Sequence, residues 1–173
     1  MNSKHKSNFI TLKEIAVFAL LGTVMFVSKM VMEFLPNIHL LAVLTVAFTA
    51  VYRAKALLPI YVYVFLNGLI SGFNIWWVPY LYIWTLLWGA VMVVPRGISQ
   101  KATFIIYTTL SILHGLTFGL FYAPAQAMFF GLDLGQTVAW VMAGLPFDLV
   151  HAVGNGVLSL LIMPIVSALK RIK

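Results

Sequence analysis

The sequence contains no cysteine, and only four of its 173 residues are acidic: Glu14, Glu33, Asp133 and Asp148. The first absence excludes disulfides, thiolate metal sites and a cysteine nucleophile. The second disfavours a Mg-diphosphate enzyme, because the four acids are scattered along the chain. No G-x-x-x-x-G-K-[ST] loop occurs, so the chain has no ATPase of that kind. No H-E-x-x-H, no pair of histidines at metal-ligand spacing and no G-x-S-x-G is present. The expectation is a protein that is not an enzyme and has no metal or cofactor of its own.

Charge of either sign is also scarce. Only 9% of residues are charged, whereas a soluble domain carries about a quarter. With 62% hydrophobic residues, the outer surface must face lipid. The net charge of +7 does not imply nucleic acid, because the basic residues sit between apolar runs and at the ends. That placement suits topology signals and anionic headgroups. The first apolar run follows Lys4, Lys6 and Lys13 but is long and lacks a small-residue cleavage site, so it reads as a retained first span.

Continuous apolar runs read as helices, which satisfy their own backbone in lipid. Six are expected in one domain, 1–173: Leu12 to Leu35, His39 to Tyr52, Ala56 to Phe73, Trp77 to Val94, Ala102 to Tyr122 and Leu145 to Leu169. Pro36, Pro95 and Pro124 mark span ends. The N-terminus, the turns near residues 54 and 98, and the C-terminus hold ten of the eleven Lys and Arg residues. With six spans these regions share one side. The positive-inside rule makes it the cytoplasm of a multi-pass cell-membrane protein. The second span is short, at about 21 Å against an apolar core of about 30 Å. It either leaves a recess on the outer side or thins the bilayer locally. The segment from Ala123 to Gly144 reads as a long outer loop with a short helix from Gln136 to Met142, serving as a lid or as an interfacial anchor through Trp140.

Polar groups inside spans cost free energy unless they face protein, water or ligand. Lys29 and Glu33, four apart, form either an ion pair or the charged rim of a pocket. His39 opens the short span. Asp148, His151 and Asn155 fall on one stripe of the last span, as a pocket wall or as interhelical hydrogen bonds. His114 stands alone on an apolar helix and reads as a packing residue. The run from Asn74 to Trp84 holds Trp76, Trp77, Tyr80 and Trp84. It serves as an aromatic belt or, with Trp77, Tyr80 and Trp84 sharing a helical face by their spacing, as a stacking face for a planar ligand. Gly68-x-x-x-Gly72 and Gly115-x-x-x-Gly119 permit close helix contact, and Ala16, Ala19 and Gly22 give the first span a smooth face.

Taken together, the basic start, six spans, the aromatic turn and the stretch Gly144-Leu145-Pro146-Phe147-Asp148-Leu149-Val150-His151-Ala152-Val153-Gly154-Asn155 resemble a substrate-binding S component of an energy-coupling factor (ECF) vitamin transporter. The resemblance implies capture of a vitamin at the outer face, and the polar and aromatic residues expected to bind it are Lys29, Glu33, His39, Asn74, Trp76, Trp77, Tyr80, Trp84, Asp148, His151 and Asn155. It also implies docking on the EcfT scaffold, driven by two ECF ATPases, through the first span. The family's docking pattern is Ala-x-x-x-Ala, whereas Leu20 stands four after Ala16 here. The groups His39-Leu40-Leu41-Ala42 and Trp76-Trp77-Val78-Pro79-Tyr80 are similar to cobalamin-type S components of lactobacilli. Cobalamin is thus the expected ligand, with riboflavin, thiamine, biotin, folate and pantothenate as alternatives. A small lipid-modifying enzyme and a channel-forming scaffold are the competing classes.

Overall fold

The structure, a computed structural model, describes residues 10–173; Lys4 and Lys6 lie outside the described residues. Eight helices carry the described chain, and it has no strands. They are α1 (Leu12–Val31), α2 (Leu41–Tyr52), α3 (Leu57–Ser71), α4 (Tyr80–Met92), α5 (Gln100–Leu116), α6 (Phe118–Phe130), α7 (Leu134–Leu158) and α8 (Ile162–Ile172). Five helical segments are long and apolar enough to cross a membrane: Leu12–Val31, Leu41–Ser71, Ile75–Met92, Gln100–Phe130 and Leu134–Ile172. The sequence reading counts six because it divides Leu41–Ser71. That segment does reverse direction, at Arg53, a non-glycine residue with φ of 55°.

Helix directions follow from contacts. Arg53, at the end of α2, reaches the Val91 and Met92 carbonyls at the end of α4, while His39, just before α2, meets Trp84 nearer the start of α4. So α2 runs alongside α4 in the same sense. The Tyr61 hydroxyl donates to the Leu81 carbonyl and the Trp77 indole to the Val64 carbonyl, so α3 runs against α4.

The packing centre is α2. Ten of its twelve residues are buried, and α4, α8, α5 and α1 all pack against it. At 1.5 Å per residue it is about 18 Å long, well short of an apolar core of about 30 Å. The turn from Met32 to Leu40 leads into α2 at the end opposite Arg53. The apolar side chains that remain exposed, among them Leu20, Phe65, Val153 and Leu160, lie on the outward faces of α1, α3 and α7 and after α7, as a lipid-facing surface requires.

The expected outer loop is a correction. Residues 123–130 continue α6, three residues make a turn, and α7 begins at Leu134, so the helix expected from Gln136 to Met142 is the first part of a 25-residue helix. Pro124 lies inside α6. A helical proline frees nearby carbonyls, and here the Tyr82 hydroxyl donates to the Phe121 carbonyl at 2.8 Å. Within apolar surroundings such a donor makes the proline tolerable. Gly131 ends α6 with a left-handed φ of 64°. Asp133 and Gln136 form a capping box that starts α7. Pro146 likewise sits within α7, and the last expected span breaks at a tight turn over Ser159–Leu161.

Candidate functional site

A recess of about 190 Å³ opens above the short α2, lined by Lys29, Glu33, the turn Leu35–His39, Tyr80, Phe118 and His151. It exists because α1 ends at Val31 and the chain needs nine residues to re-enter at Leu41. Asn37 takes a positive φ of 58° in that turn, a conformation asparagine tolerates better than most residues. Lys29 Nζ and Glu33 Oε1 lie 3.0 Å apart on the rim. Glu33 is more than half exposed, so the pair adds at most about 1 kcal/mol to stability.

Below the rim, rings from five helices and the turn before α2 converge. The His39 and His151 ring centroids are 4.8 Å apart, and Phe118 lies 5.0 Å from His151. Trp84 stands 6.1 Å from His39 and 5.3 Å from His114, and Tyr80 and Tyr63 each meet Trp84 edge-on at 6.0 Å. His114 Nε2 donates to the Ile83 carbonyl at 3.3 Å. That fixes its other nitrogen, Nδ1, as a bare acceptor.

Several polar atoms in this cluster are buried and have no hydrogen-bond partner among the described residues. They are His39 Nδ1, His114 Nδ1, His151 Nε2, Trp84 Nε1 and Tyr63 Oη. Such an atom costs about 1–3 kcal/mol when left unmatched, so a native fold rarely gathers this many in one place. Burial, with the Lys29 ammonium nearby, pushes His39 down from 6.5 to about 4. Its imidazole is neutral at physiological pH and presents both an acceptor and a donor. Among the described residues no group of three His, Asp or Glu side chains is arranged to hold a metal ion.

The structure brings Lys29, Glu33, His39, Tyr80, Trp84 and His151 of the expected site together. It places the others elsewhere. Trp77 lies in the tight turn Ile75–Trp77 before α4 and not on the helical face with Tyr80 and Trp84. Its indole donates to the Val64 carbonyl at 2.7 Å. Asn74 accepts from the Ile75 N–H and caps the same turn. Trp76 flanks Tyr80 edge-on at 5.6 Å, and its carbonyl accepts from the Tyr122 hydroxyl. Asp148 is buried, and both its oxygens accept from the Gly119 N–H at 3.1 Å, so it caps the start of α6. Asn155 donates to the Ser111 carbonyl at 2.9 Å, joining α7 to α5.

The small-residue positions also divide. Ala16 and Ala19 are exposed on α1, whereas Gly22 is buried against Val62 of α3. Gly115 and Gly119 sit tightly against Ala152 and Asp148 of α7. Gly68 abuts Phe73 and Trp77, while Gly72 meets nothing and instead ends α3 with φ of 90°. Sequence reasoning did not assign Phe118, Tyr63 or the Leu35–Ile38 turn to the site, and it set His114 aside. Phe118 follows His114 by four residues, a spacing that could have linked them. No protein-family model, curated protein or solved structure matches the chain.

Proposed function

We propose that the chain is the substrate-capture subunit of an ATP-driven vitamin importer of the ECF type. In this reading it has six spans and cytoplasmic termini, and it docks on EcfT and two ECF ATPases for release inside. The observation that carries the reading is the set of unpartnered nitrogens and hydroxyls gathered among His39, Tyr63, Trp84, His114 and His151 beneath a recess over a helix too short to fill its membrane. A ligand with ring-edge donors and acceptors would match those atoms and stack between Tyr80, Trp84 and Phe118. The exposed small residues Ala16 and Ala19 leave α1 a face for the scaffold, and the resemblance of the sequence supports the same assignment.

Cobalamin is the first choice of ligand on that resemblance. The recess volume of about 190 Å³ favours a second reading within the same class. Pockets for drug-sized ligands run to roughly 300–1,000 Å³, so a smaller vitamin such as thiamine, biotin or pantothenate fits with less opening of the Met32–Leu40 turn. A corrinoid would enter by one edge only.

The test is a thermal-shift panel of vitamins on the purified protein, with Tyr80→Ala and His151→Ala as controls. A ligand at 1,000 times its Kd stabilises the fold by about 4 kcal/mol, a large upward shift that both variants should abolish. A flat panel removes the importer assignment. Flux without ATP would favour a channel, and turnover of a lipid substrate would favour an enzyme.

A further inference from the structure

A second cavity lies at the opposite end of α2 from the recess. It measures about 740 Å³ and is lined by Arg53, Arg96, Lys170 and Lys173, with Gln100 and Thr103 of the first turn of α5. These cations come from three separate stretches: the turn after α2, the turn after α4 and the end of α8. No carboxylate side chain lines the cavity among the described residues, and all four acids of the chain are engaged elsewhere. Glu14 pairs with Lys55 and Glu33 with Lys29, Asp133 caps α7, and Asp148 caps α6.

Two of the four cations serve the fold. Arg53 donates to the carbonyls ending α4, and Lys173 Nζ donates to the Val51 carbonyl at 2.8 Å. Arg53 Nε is buried and without a partner among the described residues. Arg96 and Lys170 make no hydrogen bond or ion pair with any described residue, and both are exposed at the cavity. Topology signals alone require only that cations lie on one side of the membrane. They do not require cations from distant stretches to surround one volume, where like charges repel and the field is focused on the space between them. The start of α5, whose Gln100 and Thr103 line the cavity, adds the positive end of a helix dipole to the same wall. Apolar Val94, Met163 and Val166 make up another part of the lining.

We propose that this cavity binds a phosphate-bearing anion, with the headgroup of an anionic phospholipid as its source. Arg96 and Lys170 supply the free charge, the Gln100 side chain supplies a donor, and the apolar wall accepts the glycerol and first acyl carbons. The site is distinct from the recess, so the inference stands whether or not the importer reading does.

The test uses the full chain in detergent with phosphatidylglycerol, phosphatidylcholine or pyrophosphate. Retained lipid is counted by native mass spectrometry, and melting is followed at matched ionic strength. The double variant Arg96→Gln/Lys170→Gln is compared with Lys101→Gln/Arg171→Gln, which removes equal charge from residues that do not line the cavity. Phosphatidylglycerol should be retained over phosphatidylcholine. The cavity variant should weaken that binding about 25-fold, roughly 2 kcal/mol, while the control pair leaves it unchanged. Stabilisation by pyrophosphate alone, lost in the cavity variant, would keep the anion site and overturn the lipid as its source. Equal retention of both lipids without a pyrophosphate effect, or equal losses in the two variants, would overturn the proposal.

Discussion

Replacing Gly22 by alanine tests whether α1 has one face for the bundle and another for a partner. A Cβ at Gly22 would lie 2.5 Å from Val62 Cβ and Cγ1 and 2.8 Å from the Pro59 carbonyl oxygen. Carbon atoms settle at about 3.5–4.0 Å, so the methyl arrives more than 1 Å too close. Val62 Cβ is fixed to the α3 backbone and the Pro59 oxygen belongs to it, so no rotamer change clears the overlap. Helix α1 must move off α3, at about 1–3 kcal/mol for overpacking. Alanine recovers about 1 kcal/mol of helix propensity relative to glycine, which leaves a net loss of up to about 2 kcal/mol. For a chain of this size that lowers Tm by up to about 8 °C, read by thermal melting in detergent. Ala19 is exposed, so Ala19→Trp should melt within about 2 °C of the parent and bind ligand normally while blocking uptake in cells that carry EcfT and its ATPases. The division of α1 would be refuted if Gly22→Ala left Tm unchanged and Ala19→Trp lowered it.

Three further outcomes are expected. Trp77→Phe removes the indole donor to Val64 and should cost about 1 kcal/mol of stability with ligand affinity unchanged; a tenfold loss of affinity would return Trp77 to the binding site. Asp148→Ala leaves the buried Gly119 N–H without its acceptor and should cost about 1–3 kcal/mol in unfolding experiments, most of it recovered by Asp148→Asn; equal losses in both variants would show that the cap is not the reason. His39, held at about 4 against an ordinary 6.5, takes up its proton more readily in the unfolded chain. Its contribution to stability is therefore present above pH 6.5 and is lost as pH falls through 4, by about 3 kcal/mol at most. His39→Gln should flatten that part of the acid limb, and an identical limb in the variant would refute the assignment.

The apolar runs were legible because a helix in lipid leaves little choice of backbone. Misreading 123–144 as a loop came from treating Pro124 as a terminator. The correcting signals, Gly131 and the Asp133/Gln136 box, were in the sequence, whereas the Tyr82 donor that accommodates the proline comes from another helix. The stripe of Asp148, His151 and Asn155 was legible as buried polar groups by its spacing, since all three are buried. Spacing could not say that only His151 faces the recess, because the difference lies in what α5 and α6 present opposite each position. Trp77 shows the same limit. Its register with Tyr80 and Trp84 assumes a helix that has not yet begun at residue 77.

The central position of α2 also constrains how the protein is made. Leu41 to Leu44, Val46 and Phe48 are packed in one core cluster with Ile162, Val166 and Leu169 of α8, and Lys173 reaches back to the Val51 carbonyl. A ribosome delivers α2 well before α8, so the interior lacks its α8 wall until that helix has emerged. In the interval α2 must be screened by lipid or by the insertion machinery, and a nascent chain arrested before α8 leaves that flank uncovered. Quality-control proteases that sense unassembled segments would therefore act on this flank first.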